Sequence, residues 1–168
     1  MSMQAVFYIS GAIALLATVL MLTRLNAVHA LLYLVVSLLA IAVVFYVLGA
    51  ALAAALEVII YAGAIMVLFI FVVMLLNLGE AAELQERNLL SSSMWVGPAI
   101  LSAILIAELV YVLSGKSQGD LPAPVEPKQV AAALYAPYLI GVELGSMLLL
   151  TAIVGAYHLG WRKSRRDR

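Results

Sequence analysis

The stretch Ala50-Ala-Leu-Ala-Ala-Ala-Leu56-Glu57-Val-Ile-Ile-Tyr61-Ala-Gly63-Ala-Ile-Met66-Val-Leu-Phe-Ile-Phe-Val-Val-Met-Leu-Leu76 decides the fold. It runs for about 27 residues with one charged side chain, whereas ~20 apolar residues at ~1.5 Å each already cross ~30 Å of hydrocarbon. Such a run reads as a membrane span. A regular helix of this length would measure ~40 Å, and the excess demands tilt, a kink or a local distortion. Four other stretches share its character, at about 5–22, 27–48, 95–113 and 138–157, with the central one at 50–76. The sequence therefore predicts an all-α integral membrane protein with five transmembrane helices in a single membrane domain over 1–168.

Composition agrees. Of the 168 residues, 66% are hydrophobic and 11% charged, against about 45–50% and ~25% in soluble domains. Lys plus Arg and Asp plus Glu both count 9, so net charge is zero and nothing points to nucleic acid. The absence of cysteine excludes disulfides, thiolate metal sites and iron–sulfur ligation by this chain. His29 and His158 are too few for most metal or haem sites, so no metal and no cofactor is expected here. No internal repeat is visible, which argues against an inverted-repeat transporter.

Met1-Ser2-Met3-Gln4 carries no basic side chain, and the first charge, Arg24, follows the apolar stretch. That order suits a retained first helix rather than a cleaved signal. Short links at Arg24-Leu25-Asn26 and Leu48-Gly49 make the first three spans an antiparallel hairpin series, with Asn26 placed to cap the second helix. The connection 77–94 is polar, and its Glu83–Arg87 stretch reads as a solvated loop more readily than as a short interfacial helix. The connection 114–129 contains Gly115, Gly119, Pro122, Pro124 and Pro127 and reads as an extended aqueous loop. Five spans put Arg24, Arg87, Arg162, Lys163, Arg165, Arg166 and Arg168 on one side, leaving Lys116 and Lys128 on the other. The positive-inside rule then makes 77–94 and the C-terminus cytoplasmic, 114–129 periplasmic and the N-terminus external. Tyr8, Tyr46, Tyr111, Tyr135 and Tyr138 would line the outer interface, and Trp95, Tyr157 and Trp161 the inner one.

Three carboxylates interrupt the spans: Glu57, Glu108 and Glu143. In this topology each lies in the outer third, ~8–10 Å from its helix end. An acid near the centre of a span costs ~2.5–3.5 kcal/mol on insertion scales. No lysine or arginine lies within a span, so each acid needs hydration, a proton or a partner on another chain. Headgroups or partner helices are the simplest solvation for Glu108. Glu57 and Glu143 have longer apolar flanks, and a polar cavity or proton route suits them as well as plain solvation does. Tyr61 follows Glu57 by one turn. Gly63 permits either close helix packing or a π-bulge, and local physics leaves both open. His29, Tyr33 and Ser37 form one polar stripe on helix 2, where a capped interfacial histidine is the plainer reading. His158 reads as an interface anchor, and the methionines as gap-fillers.

The runs Asn26-Ala-Val-His29-Ala-Leu-Leu-Tyr33 and Leu56 to Asn77 resemble the subunit J family of the bacterial proton-pumping NADH-quinone oxidoreductase, respiratory complex I. Trp95-Val-Gly-Pro-Ala-Ile, Pro137-Tyr and Val142-Glu143-Leu-Gly-Ser-Met-Leu-Leu-Leu150 are similar to it too. The resemblance covers about residues 1–160, in order and with the same span count. The helix 3 match is specific, and the others are weak alone. The tail after Trp161 is shorter and more basic than in some relatives, so nothing is carried over there.

The resemblance implies a multi-pass subunit of the bacterial inner membrane that serves an H+-translocating enzyme of the respiratory chain without a catalytic site of its own. It implies that NADH, flavin, iron–sulfur clusters and quinone are bound by other subunits. It further implies membrane-arm partners, especially subunits A, K and H, and a third helix that switches between regular and π-bulged near Tyr61 and Gly63. Glu57, Glu143 and Glu108 are then expectations for a proton route. A stand-alone proton-coupled carrier or channel using Glu57 and Glu143 is the alternative, and a purely structural scaffold is a third.

Overall fold

A computed structural model of the chain describes residues 2–76, 92–114 and 123–164. The Glu83–Arg87 stretch lies outside the described residues, as does the 115–122 part of the 114–129 connection. Among the described residues every regular element is helical: α1 (Met3–Thr23), α2 (Ala27–Val47), α3 (Ala51–Leu56), a π-helical segment (Glu57–Ile65), α4 (Met66–Leu76), α5 (Ser92–Leu113), α6 (Pro127–Tyr135) and α7 (Leu139–Ser164). Five stretches are long and apolar enough to span a membrane: Met3–Thr23, Ala27–Val47, Ala51–Leu75, Trp95–Leu113 and Leu139–Trp161. The third span is thus α3, the π segment and α4 in continuous succession. The helices fall into two compact units, Met1–Val125 and Glu126–Arg168.

In the first unit, α1 and α2 form the tightest pair. Asn26 caps α2 as its position suggests, with Oδ1 accepting from the amides of Val28 at 3.0 Å and His29 at 3.2 Å. The other end of α2 closes on Gly49. Its φ of 82° lies in the left-handed region, where a side chain would be strained. The Gly49 amide donates to Tyr46 O and the Ala50 amide to Phe45 O, both at 3.0 Å. These are the two bonds of a Schellman cap, and they turn the chain into the third span within two residues.

Buried positions on α1 are Met3, Val6, Ser10, Ile13 and Ala17; those on α2 include His29, Tyr33, Val36, Ala40, Val43 and Val47. Spacings alternate between three and four, the seam of two helices packed along their lengths. Ala17 and Ala40 are fully buried, and their small side chains allow the backbones to approach. In lipid, apolar contact adds little driving force, so packing and interhelical hydrogen bonds hold the pair. The hydroxyls of Thr18 and Ser37 lie 2.8 Å apart, and both reach the Ala14 carbonyl, at 2.8 and 3.0 Å. The bond from Thr18 to Ala14 lies within α1, each hydroxyl has a single proton to donate, and an interhelical bond contributes about 0.6–1.7 kcal/mol. Helix α5 completes the core with Leu105 and Val112.

The second unit contains α6 and α7. The 114–129 loop predicted from sequence ends sooner than expected, because Pro127 opens α6. Its fixed φ suits a first helical position, and Gln129 Oε1 accepts from the Glu126 amide at 3.3 Å. None of the described side chains of α7 is buried.

Candidate functional site

The third span carries Glu57, Tyr61 and Gly63, and all three fall inside the π segment. Its sequence gives the α-helix a weak local hold. Val58, Ile59 and Ile60 are consecutive β-branched residues, which lose χ1 freedom against the preceding turn. Gly63 costs about 1 kcal/mol relative to alanine in a helix. The wide turn shows at the segment's end, where the Met66 amide donates to Tyr61 O, five residues back, and to Gly63 O. Met66 itself is almost fully buried and anchors the end of the distortion.

A methyl group built at Gly63 would meet only one neighbouring atom, the Val58 carbonyl oxygen, at 3.1 Å. That oxygen belongs to the same helix, so the tight contact is within the π turn. The segment packs on α2, and no residue of it is buried. Val58, Ile59, Ile60, Tyr61 and Ile65 are exposed, and Glu57 is half-buried. An apolar groove of about 400 Å³ beside it is lined by α2, the start of the third span and α5, with Tyr46, Val58 and Ser102 among its walls.

Glu108 lies elsewhere in the same unit, inside the core. It is 4% exposed, and Ser10 Oγ donates to its Oε2 at 2.7 Å, joining α5 to α1. Its Oε1 is buried and has no hydrogen-bond partner among the described residues. Glu143, on α7 of the second unit, is exposed. The three acids therefore have three different settings: half-buried at the first residue of the π segment, buried against a serine, and exposed on a helix surface.

The His29–Tyr33–Ser37 stripe is buried throughout, at 5%, 3% and 3% exposure. The rings of His29 and Tyr33 lie 5.1 Å apart, and the Arg24 guanidinium sits 5.3 Å from the Tyr33 ring centroid. Among the described residues His29 Nε2 has no hydrogen-bond partner. Tyr33 lies against Gly97 of α5, where a methyl group would overlap its hydroxyl. Among the described residues, no three His, Cys, Asp or Glu side chains converge on a metal site.

Five apolar spans among the described residues, acids within three of them and a π-helical turn in the longest define a polytopic helical membrane protein whose spans carry ionisable groups. Residues 17–159 match the family described as NADH-ubiquinone/plastoquinone oxidoreductase chain 6. The chain is 55% identical to the NADH-quinone oxidoreductase subunit J of Escherichia coli K12 over 159 residues, which cover 94% of this chain and 86% of that protein. It is 52% identical to the Pseudomonas aeruginosa subunit J over 168 residues, covering 98% and 100%. A Buchnera aphidicola subunit J is 46% identical over 162 residues, covering 96% and 99%. This chain belongs to the chain 6 and subunit J family of NADH-quinone oxidoreductases. The bacterial origin of these relatives and the five spans make it a multi-pass inner-membrane protein.

Proposed function

We propose that this chain is a membrane-arm subunit of an NADH-quinone oxidoreductase, and that its third span converts quinone chemistry elsewhere in the complex into proton movement. The π segment carries the reading, because Glu57, Tyr61 and Gly63 coincide with it. A wide turn has a spare conformation available: closing it to regular α-helix rotates the residues beyond it relative to those before it. Such a rotation would move Tyr61 and the apolar side chains after it relative to Glu57. The exposed face of the segment would then bear on neighbouring subunits, among which A, K and H are the expected partners.

Redox chemistry belongs to other subunits on this reading, since the chain has no cysteine and its described residues offer no metal-binding cluster. The chain's own residues hold and pass protons. Glu57, half-buried at the start of the π segment, gains or loses hydration as the turn changes, and Glu143 provides a second acid on α7. The external N-terminus and cytoplasmic C-terminus follow the basic-residue asymmetry.

The test is Glu57→Gln, which preserves size and hydrogen bonding while removing titration, together with Glu143→Gln. In assembled complexes sealed in vesicles, quinone reduction is expected to persist while NADH-driven proton translocation falls. Full translocation in both variants would remove these acids from the route.

A further inference from the structure

Glu108 occupies a core position by register as well as by burial. On α5, Leu101, Leu105, Glu108 and Val112 follow the same three- and four-residue spacing as the seams of α1 and α2, and Leu105 and Val112 are core residues. On α1, Ser10 interrupts the series Val6, Ile13, Ala17 in the same way. One polar residue from each stripe meets the other, at 2.7 Å, between otherwise apolar neighbours. A carboxyl group has four acceptor sites as an anion. Here Oε2 receives one hydroxyl proton and Oε1 receives none, although both are enclosed. The titratable groups on the surrounding elements are Tyr8 on α1, His29, Tyr33 and Tyr46 on α2, Tyr111 on α5, and Glu57 and Tyr61 on the third span. Oε1 accepts a hydrogen bond from none of them, and no lysine or arginine lies within these spans.

We propose that Glu108, held by the Ser10 hydroxyl, is a proton-holding site inside the α1–α2–α5 core, separate from the third-span turn. Its ligand is a proton delivered by water. Hydronium gives a proton to Oε1 and leaves as water, and the carboxylate becomes a neutral acid; release reverses the step, and no electrons move. Ser10 keeps donating to Oε2 in both states, so it is a positioning residue that fixes which oxygen receives the proton. A purely structural tether would need only the Ser10 bond. Glu108 is enclosed among apolar residues with no lysine or arginine in the surrounding spans, which sets it apart for exchanging a proton rather than for pairing with a charge.

The inference extends the proposed proton-coupled role, but its test does not depend on pumping. Infrared difference spectra of the purified complex between low and high pH, in H2O and in D2O, read carboxyl protonation directly. A carboxylic C=O band is expected in the wild type, lost in Glu108→Gln and shifted in Ser10→Ala, while subunit content stays complete. Spectra of Glu108→Gln identical to wild type would overturn the proposal. So would an unshifted band in Ser10→Ala, which also serves if Glu108→Gln fails to assemble. A band that behaves as expected in a complex whose Glu57 and Gly63 variants translocate normally would sustain this site while removing the third-span reading. No Glu108 band in a complex whose third-span variants do fail would do the reverse.

Discussion

Replacing Gly63 by valine tests whether the π turn has to form during turnover. In the structure a Cβ at 63 comes 3.1 Å from the Val58 carbonyl oxygen of the same π turn, so that oxygen has to give by a few tenths of an ångström. Any residue other than proline also favours regular helix over glycine, alanine by about 0.8–1.0 kcal/mol. Valine gains less of this propensity than alanine but adds branched carbons with a stiff χ1, and an off-rotamer fit costs about 0.5–1.5 kcal/mol. Together these effects disfavour the wide turn by about 1–2 kcal/mol, or roughly five- to thirtyfold in its population. The variant should still insert, because the span becomes more apolar. NADH-driven proton translocation by the assembled complex in sealed vesicles is expected to fall by roughly fivefold or more, and by less in Gly63→Ala, which shares the Cβ contact and the helix preference but lacks the branched carbons. Subunit content of the purified membranes separates the causes. Complete assembly with low coupled turnover supports the changing turn, whereas loss of partner subunits supports simple packing of Gly63 against another chain. Wild-type translocation in a fully assembled Gly63→Val complex would refute the reasoning.

Two other outcomes follow from the structure and the sequence. Gly97→Ala places a methyl group into the Tyr33 hydroxyl, and overpacking of this kind costs about 1–3 kcal/mol; thermal denaturation of the complex should show the loss, and adding Tyr33→Phe should recover part of it. A reporter fused after Arg168 should be active only in the cytoplasm and one before Met1 only outside, the opposite pattern reversing the placement of all three acids.

The five spans were legible because lipid imposes one requirement, about twenty apolar residues per crossing, that composition alone reveals. Asn26 and Gly49 were legible for a similar reason, since a cap and a tight turn depend on local chemistry. The length of the third span and its central glycine marked where regular helix is weak, but they left packing and distortion equally open. Only the backbone shows a π turn there, with the Gly63 contact inside its own helix. Glu108 was the least legible. Reading each acid by its apolar flanks ranked it as a surface residue, because flank length measures depth in the membrane and says nothing of direction around the helix. The available signal was periodicity: Leu101, Leu105, Glu108 and Val112 share one face, as Val6, Ser10, Ile13 and Ala17 do. Sequence alone does not say that these two faces meet. The short helix at Pro127 was missed because proline was taken only as a breaker, while at the first helical position it is a starter.

The assignment to an NADH-quinone oxidoreductase is tested most directly by affinity purification of the full chain in mild detergent, with identification of the chains that accompany it. The expected result is a large assembly containing other membrane-arm subunits, subunits A, K and H among them, and NADH-quinone reductase activity. Purification of the chain alone or as a homo-oligomer, with neither the activity nor those partners, would instead establish a stand-alone membrane protein and leave the π turn without a redox reaction to couple.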